Sequence, residues 1–275
     1  SRLSSKKAPV LPGFSGTPQR RAAYPDYRRH TPRLRNGTGL VPLLKDDMLL
    51  ENFPGEVSFP HGQGFVLAPA DGSNAHPTNR SAVYGSRESE VYVVGSERYD
   101  GISRLRRLIQ DLDSKPDDYD FSYEDGFSST CKGFSEKFQL ISDFSARLVQ
   151  FVPLSGSDVQ VYIAAFGADA GVDFFEFDPQ SSEFQPLNNT PPASRRPFEV
   201  YSRMAKSGDV VVLSSGSARE FFAASRGKTD LLHSLRYAEE SVGQDLQTRL
   251  AKWIADQNNP VLARSFGGVL VVHIP

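Results

Sequence analysis

The segment Ser207 to Ser217, SGDVVVLSSGS, is the part of the chain best suited to carry chemistry. A Gly-Asp turn opens onto Val210, Val211, Val212 and Leu213, a run too short for a helix and rich in β-branched side chains, and a Ser-Ser-Gly turn closes it. This pattern predicts a buried strand that delivers a loop to a site. Ser214 and Ser215 are not placed as nucleophiles, because they lack both the glycine spacing of a nucleophile elbow and a linked base. The histidines His30, His61, His76, His233 and His273 are scattered without a partner pattern, and His273, between Val272 and Ile274, reads as a strand residue facing polar surface. The lone Cys131 excludes an intrachain disulfide, and with no Cys or His cluster at ligand spacing it argues against structural zinc. Gly62-Gln63-Gly64 and Gly267-Gly268 fall short of a phosphate-binding pattern and read as turns. The acidic stretch 114–126, with Asp117, Asp118, Asp120, Glu124 and Asp125, matches no calcium-loop spacing and reads as a solvated loop.

Charge supplies a second kind of chemistry. The net charge of −2 conceals an N-terminal segment, residues 1 to 35, that carries +8, against −10 on the remainder. Arg20, Arg21, Arg28, Arg29, Arg33 and Arg35 alternate with Tyr24, Tyr27 and His30, a mixture suited to phosphate contacts by guanidinium and stacking by rings. Pro9, Pro12, Pro18, Pro25 and Pro32 preclude a long helix there. The expectation is an extended arm over residues 1 to 40 and a folded body over 41 to 275. The Arg- and Ser-rich, acid-poor composition also fits the edge of an organelle transit peptide, and an anchoring arm could engage either an RNA groove or an acidic protein surface.

The elements that must position the 207–217 segment follow from periodicity. With 275 residues and 39% hydrophobic content the chain can bury a substantial core, and its longest apolar runs are strand-sized, so no membrane span is expected. A strand at 91–95 feeds an amphipathic helix carrying Ile102, Leu105, Leu108, Ile109 and Leu112. Strands are predicted at 138–141, 145–153, 159–166, 172–178 and 210–214, helices at 218–224 and 242–257, and a closing strand at 268–274. Strands in quick succession with helices grouped at the ends of the run point to an α+β layered sandwich.

The order of these elements, over about residues 80 to 274, resembles the type 2C, or metal-dependent, protein phosphatases. Asp143-Phe144-Ser145-Ala146 followed by VYIAAFGADAGVDFFEF resembles that family's paired Gly-Ser-Thr-Ala and Val-Gly-Asp-Ser-Arg strands, with Gly167-Ala168-Asp169 at the turn. Gln185-Pro186-Leu187, the strand before Gly216 and the closing GGVLVVHI have the family's order. The resemblance implies a four-layer αββα sandwich and, in the family, two divalent cations bridged by carboxylates that lower the pKa of a bridging water. At the implied ligand positions this chain has Gly95, Ser215 and Gly267-Gly268, and the segment His76 to Ser81 holds no acid. Shifted forward, Tyr99-Asp100-Gly101 keeps an Asp-Gly pair, so Asp100 is either a remnant ligand or a helix N-cap before Ile102.

The resemblance therefore implies a pseudophosphatase with no cofactor. Its expected role is that of a structural subunit of a large assembly, mitochondrial rather than cytoplasmic. A mitochondrial ribosome is favoured over a respiratory or ATP synthase complex, with protein subunits and possibly ribosomal RNA as partners. The alternatives are a pseudophosphatase signalling adaptor and an active Ser/Thr phosphatase with divergent ligands at Asp100, Asp169, Asp173 and Asp209.

Overall fold

The computed structural model describes residues 48–51, 54–59, 61–72, 76–86, 91–98, 104–114, 124–137, 144–178, 180–181, 183–187, 198–224 and 242–274. The basic arm and Asp100 lie outside them, as do the strand expected at 138–141, Tyr99, Gly101 and the domain boundary at residue 40.

Among the described residues, twelve strands form two antiparallel sheets. One sheet has the order β1 (Met48–Glu51), β4 (Asn79–Gly85), β5 (Val91–Arg98), β6 (Phe144–Pro153), β7 (Asp158–Phe166), β10 (Phe198–Lys206). The other runs β2 (Gly55–Phe59), β3 (Gly62–Leu67), β12 (Gly267–His273), β11 (Val210–Gly216), β8 (Ala170–Asp178), β9 (Glu183–Pro186). Helices α1 (Arg104–Ser114) and α2 (Glu124–Lys137) cover the outer face of the first sheet, and α3 (Ser217–Ala223) and α4 (Val242–Gln257) that of the second. A short α5 (Pro260–Ala263) leads into β12.

Strand alternation accounts for the layers. On β11, Val211 and Leu213 enter the core between the sheets with Val83, Val94, Val149, Phe151, Leu270 and Val272. Val210 and Val212 point the other way, into a cluster with Ala218, Phe222, Leu246, Leu250 and Ile254. Both faces of β11 and β12 are thus buried, as their near-continuous apolar runs require. On the opposite side of the molecule, Leu105, Leu108, Ile109 and Leu112 of α1 join Phe127, Cys131 and Phe134 of α2 against Val91, Val93 and Leu148. Burial among these side chains pushes the Cys131 thiol well up, so it is packing material rather than a nucleophile.

The fold is the expected α+β, four-layer αββα sandwich, with the strands expected at 210–214 and 268–274 in the middle of their sheet. Several local readings need correction. Glu124, Asp125 and Gly126, read as loop, open helix α2, where the two acids complement the positive end of the helix dipole. Gly62-Gln63-Gly64 and Gly267-Gly268 are not turns but paired strand residues of β3 and β12. There the glycines serve close packing: a Cβ on Gly62 would strike the carbonyl of Val271, and one on Gly64 would lie 2.8 Å from the Phe59 ring. Among the described residues no helix is long and apolar enough to cross a membrane.

Candidate functional site

The end of β11 places Ser215 between the sheets, fully buried, and its Oγ donates to the carbonyl of Gly95 on β5 at 3.0 Å. Ser215 lies opposite Gly268 in the β11–β12 register, and a Cβ on Gly268 would lie 2.7 Å from Ser215 Oγ and 3.0 Å from Val94. The structure therefore brings Gly95, Ser215 and Gly268 together. Gly267 belongs to the opposite face, where a Cβ would lie 2.8 Å from Ser217 Oγ and 3.0 Å from Ala218 of α3. A Cβ on Gly95 would likewise point outward, 2.7 Å from Leu105, so only the Gly95 carbonyl reaches Ser215.

The facing surface of the first sheet is a row of serines that sequence reasoning missed. Ser81 on β4, Ser96 on β5 and Ser145 on β6 are register partners across three strands, all buried on the side of the inter-sheet core. The signal was a phase, one polar residue appended to each inward-facing apolar set, visible only once the strands are aligned. Ser81 Oγ donates to Phe266 O at 3.3 Å, and Ser145 Oγ accepts from Asp169 N at 2.9 Å. Asn79 grips the strand leading into β12 with both ends of its amide: Oδ1 accepts from Phe266 N at 2.7 Å and Nδ2 donates to Phe266 O at 3.2 Å. Thr78 adds a backbone bond to Arg264 O at 2.9 Å and a hydroxyl contact to Ser265 at 2.6 Å.

A buried cation fixes the neighbouring turn. Arg147, 3% exposed on β6, donates through Nη1 to the carbonyls of Ala146, Phe166 and Gly167 at 2.8, 3.1 and 3.0 Å. Burial pulls its guanidinium down to about 10; Tyr201, Asp169 and Glu199 act against the shift, and Arg219 with it. Burial likewise pushes the Tyr201 phenol up to about 12, against the pull of Arg147. Arg147 is thus cationic near neutral pH, and it holds the Gly167-Ala168-Asp169 turn that joins β7 to β8.

Among the described residues the acids do not converge here. Glu97, 3% exposed, is the carboxylate nearest in sequence to the Gly95 position, but it faces outward, and its oxygens accept from Arg104 N at 2.8 Å and Leu105 N at 3.4 Å. It caps α1; Asp100, the cap expected from the sequence, lies outside the described residues. Of the divergent ligand set, Asp169 is exposed in the β7–β8 turn near Gly216, whose N–H reaches its carbonyl at 3.3 Å. Asp173 sits further along β8, opposite Val212, and Asp209 lies at the far end of β11, on the order of 20 Å from Ser215 at the usual strand rise. The Asp209 carboxylate accepts from Lys206 N at 2.9 Å and closes the β10–β11 turn. Among the described residues no group of three or more His, Cys, Asp or Glu could hold a metal ion.

Among the described residues, the side chains gathered here do not supply the donor set for a pair of divalent cations. Such ions require several carboxylate oxygens, whereas Ser81, Ser145 and Ser215 offer neutral hydroxyls already bonded to backbone, and Gly268 has no room for a side chain. The cluster stitches the two sheets together.

Glu97 makes one consequence measurable. Burial raises its carboxyl above the ordinary glutamate value, an effect opposed by the Arg104 and Leu105 N–H groups and by the charges of Arg104 and Arg80. The folded chain therefore holds this proton more tightly than the unfolded chain. The associated stability is fully present below the ordinary value and is lost as pH rises through the raised one. Urea titrations of wild type and Glu97→Gln between pH 3.5 and 7, numbers set by the ordinary glutamate value of about 4.3, should give a stability difference that moves against wild type as pH rises. A pH-independent difference would contradict a strained buried carboxylate.

No family model matches the chain, and no curated protein matches it. Among solved structures it is similar to a class, the serine/threonine phosphatases, several of them bacterial. The serine/threonine phosphatase of S. agalactiae shares 12% identity over 83% of this chain and 100% of its own, with a TM-score of 0.44. The Mycobacterium tuberculosis serine/threonine phosphatase PstP shares 12% over 82% and 98%, TM-score 0.42. The phosphatase domain of SpoIIE from Bacillus subtilis shares 13% over 83% and 92%, TM-score 0.41. At these values the likeness assigns neither activity nor ligand to this chain.

Proposed function

We propose that the protein is a non-catalytic member of the type 2C phosphatase-like group, serving as a structural subunit of a large assembly to which its basic arm attaches it. The observation that carries this reading is the Ser215–Gly95 hydrogen bond, which joins the two sheets at the point where the family resemblance requires carboxylates and two cations. The +8 charge of residues 1 to 35 supports attachment to a polyanion, for which a mitochondrial ribosome is the favoured setting and a respiratory or ATP synthase complex the next.

The purified chain should show no manganese- or magnesium-dependent turnover of an aryl phosphate. Robust metal-dependent turnover that disappears on Asp100→Asn would overturn the non-catalytic reading and restore the divergent-ligand phosphatase. Attachment is tested separately. Deleting residues 1 to 40, or reversing Arg20, Arg21, Arg28 and Arg29, should leave a folded body that no longer co-sediments with its particle. Full co-sedimentation of the deleted protein would reduce the arm to an import remnant.

A further inference from the structure

We draw no further inference here: the strongest candidate, the side-chain cluster under the start of α3 in which Ser214 Oγ, Ser217 Oγ and Arg219 Nε are buried with no hydrogen-bond partner among the described residues, is spread over strands on either side of β11, with Arg219 lying across Gly171 of β8 and Ser217 across Gly267 of β12, and nothing in the structure shows a ligand that the three would share.

Discussion

Replacing Val212 with Asp should unfold the body of the protein or leave it barely stable. Val212 is fully buried at the centre of β11, between Val271 on β12 and Asp173 on β8, facing the apolar cluster under α3 and α4. The substitution forfeits about 2 kcal/mol of apolar burial and adds an unpaired polar group worth a further ~2–3 kcal/mol on protein scales. It also places the new carboxyl beside Asp173 in the register. A total near 4–5 kcal/mol lies at the extreme of single-residue effects and is comparable with the whole stability of many domains. Val261→Asp, on the surface of α5 at 58% exposure, is the matched control and should change stability by no more than about 0.5 kcal/mol. Urea unfolding followed by circular dichroism separates the two, and equal midpoints would refute the placement of β11 as a strand buried on both faces.

Gly216→Ala should be the next most damaging change, and its comparison with Gly208→Ala isolates the closure of the sandwich end. Both glycines have positive φ, 58° and 94°, and holding an alanine in such sparsely populated backbone costs about 1–3 kcal/mol. At Gly208 an added methyl would meet nothing within 4 Å, so that strain is the whole expected loss. At Gly216 the methyl would strike the Phe266 carbonyl and crowd Asn79 Nδ2, 2.7 Å away, and both atoms belong to the bonding that ties β4 to the segment before β12. Overpacking against backbone that cannot yield adds about 1–3 kcal/mol. Thermal melts should therefore rank wild type above Gly208→Ala, and Gly208→Ala well above Gly216→Ala. Equal losses would mean that the Phe266 strap gives way freely.

Much of the layered fold was legible because β11, β12, β7 and α4 carry their burial in their own sequence: two-sided apolar runs in the strands, and Leu246, Leu250 and Ile254 at helical spacing in the helix. The strands before residue 86 were not legible. β2 and β3 are short and interrupted by Gly62 and Gly64, and those glycines answer to Val271 and Phe59, partners that only the fold brings near. α2 was missed because Phe127, Cys131 and Phe134 make a sparse apolar stripe among Ser, Gly and charged residues, so packing on the first sheet rather than propensity holds it helical. At the site, the sequence pointed to Gly95, Ser215 and Gly268 individually. Their meeting across two sheets, and the row Ser81–Ser96–Ser145, depend on strand registers that no local pattern encodes.

The position of β12 also governs the order in which the molecule can be assembled. It is the latest of the described strands, yet it lies in the middle of its sheet, where Gly267 to Val272 pair with Leu67 to Gly62, about two hundred residues earlier. During vectorial synthesis β3 and β11 therefore emerge with their inner edges bare and must remain so until β12 arrives. Nucleation from the N-terminal half alone would close a sheet without its keystone. Such long-range pairing makes folding slow and leaves the nascent chain open to aggregation. A substitution that breaks the pairing of residues 267–272 therefore disturbs β3 and β11 at once. Holdase chaperones should bind the nascent chain until β12 is in place.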